Sequence, residues 1–245
     1  MANSNKVALI TGANRGIGFE TAKQLGEKGI TVVLGARKLS SAEEAAAKLK
    51  ASGIDAIGNQ LDVTSAADRV AAAKFLDAKF GKLDILINNA GIGTSAGLIN
   101  VTSQISDEDL FTVFNTNLFS VVALTREVLP LLKKSDAGRI VNLSSILGSL
   151  ALHADPNSPI AAMKPFAYNA SKSALNAYTI HLADELKDTK IKVNSAHPGW
   201  VKTELGTDAA PMEIPDGAKT GVELAILGPD GPSGHFIHLG SELPW

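Results

Sequence analysis

The chain has no cysteine, which excludes disulfides, Cys-ligated metals and thiolate catalysis, and fits a protein that does not rely on an oxidising compartment. No window approaches the ~18 uninterrupted apolar residues of a membrane-spanning helix. Met1–Lys6 leads straight into an apolar strand pattern, without the apolar segment and cleavage site of a signal peptide. An excess of one charge is also missing. The formal net charge is −2, and the basic residues are scattered without a phosphate-tracking run. Neither nucleic acid nor a membrane surface is therefore an expected partner. Internal repeats, low-complexity tracts and linkers are absent. These absences lead to the expectation of a soluble, cytoplasmic protein.

What is present is the rhythm of a large α/β domain. A chain of 245 residues with 45% hydrophobic content suits one domain, residues 1–245. Val7–Ile10, Thr31–Leu34, Ile85–Ile87, Ile140–Leu143 and Ile191–Val193 are apolar without alternation, as in strands buried on both faces. Ala56–Leu61 is a weaker strand, and His235–Leu239 is placed to close the sheet. Helical periods fill Ile17–Lys28, Ser41–Ala51, Ala66–Phe80, Asp107–Leu132 and Phe166–Leu186. This alternation predicts right-handed crossovers and a parallel sheet covered on both faces. Two proline-bearing stretches, Ala151–Pro165 and Gly206–Gly217, have no clear period. They predict substrate loops at about 146–165 and 204–217, on the side where open α/β sheets take ligands.

The first strand runs into Thr11-Gly-Ala-Asn-Arg-Gly-Ile-Gly18. Gly12, Gly16 and Gly18 permit a tight turn, let a pyrophosphate reach backbone N–H groups, and bring the next helix close to the sheet. The helix dipole adds attraction for the anion. Asn14, Arg15 and Ile17 complete this expected cofactor contact. An NAD site commonly offers a carboxylate ~20 residues further on. Ala36 stands there instead, and the next acid is Glu43. Arg37 and Lys38, with Arg15 in the turn, would attract a 2′-phosphate, which favours NADP(H) over three merely solvated cations. Asp62 either accepts from the adenine amino group or caps the helix after Thr64; the sequence leaves both open.

Tyr168-Asn-Ala-Ser-Lys172 sets a phenol and an ammonium one helical turn apart on one face. A free phenol has a pKa of ~10, and both Lys⁺ and an oxidised nicotinamide would lower it. Alone, such a pair is common on surfaces. The fifth strand, however, ends in Asn142-Leu-Ser-Ser145, putting a hydroxyl at the carboxyl edge of the sheet, where it can bond a substrate carbonyl. Otherwise a Ser-Ser pair there is a routine cap or turn.

With Asp62-Val63, Asn88-Asn89-Ala90-Gly91 and Pro198-Gly199-x₃-Thr203, these motifs make the sequence similar to the short-chain dehydrogenase/reductase family over nearly its whole length. The resemblance implies a single Rossmann-type, doubly wound, mostly seven-stranded parallel sheet with helices on both faces. It implies hydride transfer at nicotinamide C4, with Tyr168 as acid/base. Lys172 would lower the tyrosine pKa and hold the ribose, and Ser145 would orient the carbonyl. A fourth catalytic residue, an Asn that positions a water, is assigned to Asn117 rather than Asn115 from the Asn-Leu-Phe context. By the same resemblance Asn89, Ala90 and Gly91 largely stabilise the sheet and line the adenosine–ribose channel, and Asp62 and Val63 join the cofactor-binding residues. Pro198 and Gly199 would form a turn beneath the nicotinamide, with the Val201 backbone and Thr203 hydroxyl on its carboxamide.

Departures from the pattern narrow the expectation. Ser145 and Tyr168 are 23 residues apart, where many members have about a dozen, and the Val-Asp-Gly-Gly ending of 3-oxoacyl-carrier-protein reductases is missing. With Gly35-Ala36-Arg37 after the second strand, the likeness runs to the carbonyl-reductase branch. The expected function is NADPH-dependent reduction of a ketone or aldehyde, with a small-molecule carbonyl or alcohol as the partner. Alternatives are an NADP-dependent alcohol or sugar dehydrogenase acting oxidatively, a 3-oxoacyl reductase, or a non-catalytic NADP(H)-sensing regulator, which would not need Ser145, Tyr168 and Lys172. No His/Asp/Glu set has metal-ligand spacing, so no metal is expected. The histidines read as structural or solvated, with a substrate contact as the alternative for His153 in the insertion. Ala151–Pro165 is expected to fold over the exposed side of the Tyr168 helix, which favours a monomer.

Overall fold

Every residue of Val7–Thr11 (β1) is buried, because the strand lies in mid-sheet with helices on both faces. A computed structural model describes residues 6–93 and 102–245. After β1 come Gly16–Gly26 (α1), Thr31–Ala36 (β2), Leu39–Ala51 (α2), Ala56–Gln60 (β3), Ala66–Phe80 (α3) and Ile85–Asn88 (β4). The second half contains Asp107–Phe114 (α4), Ser120–Leu132 (α5), Arg139–Leu143 (β5), Leu150–Ala154 (α6) and Phe166–Glu185 (α7). It closes with Lys192–Ala196 (β6), Ile214–Ala225 (α8), Phe236–His238 (β7) and Ser241–Glu242 (β8).

The strand order is β3-β2-β1-β4-β5-β6-β7-β8, and all neighbours are parallel except the last pair. Eight strands replace the expected seven, because the chain turns back at Leu239-Gly240 and adds a two-residue antiparallel strand at the edge. Successive β1 side chains divide between the layers. Ala8 and Ile10 join a core with α1, α2 and α8, while Val7 and Leu9 join a second core with α3, α5 and α7. Each large side chain buried this way contributes about 1.5–3 kcal/mol. Wrapping in both directions from β1 leaves a crevice between the carboxyl ends of β1 and β4.

Helix limits follow local chemistry where a cap marks them. Ser65 accepts from the Asp68 N–H to start α3, and Gly81, at φ 69°, ends it. Ser106 caps α4 in the same way, with three acids in the first turn. The helix expected over Asp107–Leu132 is divided by a π-helical turn at Asn115–Phe119. The stretch 204–217 is not irregular throughout. Its end starts α8, with Pro215 in the first turn, where proline costs no hydrogen bond. Gly217 in that turn lets α8 approach Val201. Inside 146–165 lies the one-turn helix α6, capped by Ser149. Hydrogen bonds from this insertion reach Asn169 at the start of α7, Trp245 and His197, while Ala177 and Ile180 further along α7 stay exposed. The expected covering of that helix face is therefore limited to its first turns.

Candidate active site

The loop after β1 crosses the crevice with Gly12 and Gly16 at φ 62° and 58°. A Cβ on Gly18 would fall 2.6 Å from the Gly12 carbonyl oxygen and 2.5 Å from Asn89 Nδ2. Asn89 braces the loop by donating from Nδ2 to the Thr11 and Gly12 carbonyls at 2.7 and 3.2 Å. The Thr11 hydroxyl accepts from the Asn89 and Ala90 amides. Arg15, the N-cap of α1, supplies no side-chain cap, so the first α1 amides face the crevice without one.

The Ala13 amide bonds Gly35 O at 3.0 Å, which sets the loop beside the end of β2. Arg37 and Lys38 follow, both exposed and without an acidic partner among the described residues, next to buried Ala36. Arg15 is different. Its guanidinium is ion-paired with Glu204, an exposed pair of small energetic weight. Asp62 is not the cap of the next helix, since Ser65 takes that place. Asp62 Oδ1 instead accepts from the Thr64 amide and hydroxyl at 2.9 and 2.7 Å. The Val63 side chain is buried beside it.

On the other side of the crevice α7 carries Tyr168 and Lys172 across the end of β5. Lys172 Nζ donates to Leu143 O at 2.7 Å and lies 5.6 Å from the Tyr168 ring centre. Ser145 Oγ accepts from the Leu147 amide at 3.2 Å and shares a hydrogen bond with Tyr168. Ser173 on α7 bonds Gly148 O at 2.9 Å, fastening the Ser145 loop to the Tyr168 helix. Burial lowers the Lys172 ammonium to about 8. Burial also raises the Tyr168 phenol above its ordinary value, with the Ser145 hydrogen bond pulling the other way. Desolvation is the larger effect on the phenol, and Lys172 Nζ itself bonds the Leu143 carbonyl.

Asn117 sits in the π-helical turn, fully buried. Its amide is paired with both backbone groups of Ile92 at 2.9 Å, and Nδ2 also donates to Ser171 Oγ at 3.0 Å. Ser171 in turn donates to Tyr168 O at 2.7 Å. A Cβ on Gly91 would lie 3.3 Å from Asn117 Oδ1 and 3.5 Å from Lys172 Nζ, so these three converge. Beneath them, Thr179 Oγ1 accepts from Asn142 Nδ2 and Ser195 Oγ, both at 2.9 Å, joining α7 to β5 and β6.

The turn after β6 completes the rim. Gly199 has φ 90°, and a Cβ there would fall 2.1 Å from Met212 Sδ. Val201 is buried and bridges Met212, while the Thr203 hydroxyl accepts from the Gly206 amide at 3.1 Å. Pro198 lies half-buried between β6 and this turn. A Cβ on Gly16 would meet Thr203 Cγ2 at 3.8 Å, so the turn faces the glycine loop. The expected site residues thus gather at one sheet edge. Sequence reasoning missed Ser171, Glu204 and the Leu143 carbonyl. Ser171 was legible as the residue between the Tyr168 and Lys172 positions of one helix; the other two had no local signal.

His153 is tied within the insertion. Its Nε2 lies 3.0 Å from Leu147 O, and its Nδ1 lies 3.1 Å from Lys164 Nζ. Burial lowers its pKa. Among the described residues no group of three or more His, Asp or Glu is placed to hold a metal ion, and no helix is long and apolar enough to cross a membrane.

A doubly wound sheet with a glycine turn at its switch point defines a Rossmann-type α/β protein. The family model for short chain dehydrogenases matches residues 6–214, and the chain belongs to that family. Its likeness runs to the carbonyl reductases. Salutaridine reductase of Papaver bracteatum is 36% identical, over 97% of this chain and 95% of the relative. Carbonyl reductase [NADPH] 1 of Mus musculus is 31% identical over the full length of both. The structure of an NADPH-bound carbonyl reductase from chicken fatty liver superimposes with a TM-score of 0.85 at 28% identity, covering 98% of this chain and 99% of that one.

Proposed function

We propose that this protein reduces ketone or aldehyde carbonyls to alcohols with NADPH, Tyr168 supplying the proton. The observation that carries the reading is the phenol itself. It stands beside Ser145 at the crevice, and burial holds its proton at neutral pH, the form an acid catalyst needs. Ser145 Oγ holds the substrate oxygen next to the phenol, so that the proton is delivered where negative charge develops. The nearby Lys172 ammonium favours the phenolate that remains. Buried Asn117 keeps the Ile92 backbone and Ser171 in place around that pair.

The residues fit a dinucleotide, because Gly12 and Gly16 turn the loop at positive φ and the α1 amides carry no side-chain cap. Gly12, Asn14, Arg15, Gly16, Ile17 and Gly18 would hold the pyrophosphate. Arg37 and Lys38 would take the 2′-phosphate, and Asp62 and Val63 the adenine. Asn89 to Gly91 would line the ribose channel, and Pro198 to Thr203 the nicotinamide end. When bound, NADPH supplies the hydride. The carbonyl-reductase names of the relatives support the same direction of reaction.

The test is a spectrophotometric screen of NADPH oxidation against diverse carbonyls, repeated with Tyr168→Phe. The expected result is turnover in the wild type and a loss of about 10²–10⁴-fold in kcat in the variant, with NADPH binding retained. Near-normal kcat in Tyr168→Phe would refute the assignment.

A further inference from the structure

Asp84, Arg139 and His197 are buried titratable groups that belong to no step above, and of these His197 adjoins the site. His197 is buried at the end of β6, directly before the Pro198-Gly199 turn. Its Nδ1 accepts from two amides at once, Ile146 at 3.2 Å and Gly199 at 3.3 Å. Ile146 follows Ser145 directly, and Gly199 opens the turn that leads to Val201. One nitrogen therefore ties the loop bearing the candidate carbonyl-binding hydroxyl to the turn assigned to the nicotinamide.

We infer that His197 is a positioning residue for hydride transfer, its Nδ1 lone pair fixing the separation between the Ser145 loop and the nicotinamide turn. This rests on the proposed function of that site. The His197 backbone is itself well held. Its amide donates to Ile237 O at 2.8 Å, and its carbonyl accepts from His238 Nδ1 at 2.9 Å. The two rings are 4.7 Å apart. Two converging N–H donors require Nδ1 to be unprotonated. Burial and the neighbouring His238 hold the pKa down to about 3, so the lone pair persists near neutrality. On the other side Met212 packs against Gly199, leaving the turn little room to settle elsewhere. Losing the acceptor would leave two amides unpaired and free the turn from the Ser145 loop.

The acceptor's position distinguishes this role from simple packing. Asparagine carries Oδ1 on the same carbon that bears Nδ1 in histidine, whereas glutamine places its amide one methylene further out. His197→Asn is expected to keep kcat within about threefold of wild type, and His197→Gln to lose about tenfold or more, since small misplacements of reacting groups are costly. NADPH affinity should stay within about threefold in both, because the pyrophosphate and adenosine contacts lie elsewhere. Equal kcat in the two variants would overturn the inference. If the glutamine variant does not fold, the asparagine variant still decides, because a kcat below about a tenth of wild type overturns it too. Absence of wild-type turnover would strike the proposed function and this inference together. Wild-type turnover with equal variants would strike the inference alone.

Discussion

Lys172 shows how position changes a residue's chemistry. A surface lysine keeps its charge to about pH 10.4. This one is buried against α7 and the end of β5, bonds a backbone carbonyl and has its pKa lowered to about 8. Its ammonium is present below that pH and lost above it. Because the ammonium favours the phenolate left by proton donation, kcat/KM for carbonyl reduction is expected to fall above about pH 8, approaching tenfold per pH unit. A pH profile of kcat/KM checks this. A flat profile to about pH 10 would show that the ammonium plays no part. Tyr168 is affected in the opposite sense. Burial raises its pKa, so the phenol keeps its proton throughout that window, and the limb belongs to Lys172.

At the scale of elements, the junction of β2 and α2 carries the proposed cofactor preference. Ala36 ends the strand buried, leaving no carboxylate for ribose hydroxyls, and Arg37 and Lys38 follow in solvent. Being exposed and unpaired with acids among the described residues, both can be changed without disturbing the core. Arg37→Ala with Lys38→Ala is expected to weaken NADPH by about 1.5–3 kcal/mol per lost charge-assisted contact, and NADH little. Steady-state kcat/KM for the two cofactors measures it. An unchanged ratio would move the 2′-phosphate away from this junction. The π-helical turn at Asn115–Phe119 is the second element-level device. It interrupts α4–α5 where the Asn117 amide engages both Ile92 backbone groups and Ser171, as π turns often do at functional sites.

For the whole molecule, the crevice joins the two halves of the sheet, so a ligand there should stabilise the native state. At 100 times its Kd, a ligand that binds only the folded chain adds about 2.7 kcal/mol. For a chain of this size that corresponds to a Tm rise of about 5–11 °C. NADPH should produce this shift, and NADH at the same concentration a smaller one. Equal shifts in a thermal melt would contradict the NADPH preference while leaving dinucleotide binding intact.

The sequence by itself determined the parallel strands, the α3 span Ala66–Phe80, the glycine turn, and the Tyr168–Lys172 spacing. Each depends on neighbours a few residues apart: a buried run, a helical period, a positive φ, one helical turn. The family resemblance pointed to Asn117 through its Asn-Leu-Phe context, and the folded chain buries it against Ile92 and Ser171. Proline and glycine at 215 and 217 read as loop because they break helices in mid-span, but α8 accepts them in its first turn. Only the tertiary structure decided the rest. The Arg15–Glu204 pair, the Leu143 carbonyl under Lys172 and the Ile146 amide on His197 all join residues distant in sequence. The direction of the Tyr168 shift belongs there as well. It is set by how much water the folded chain removes from the phenol, against the pull of the Ser145 hydrogen bond.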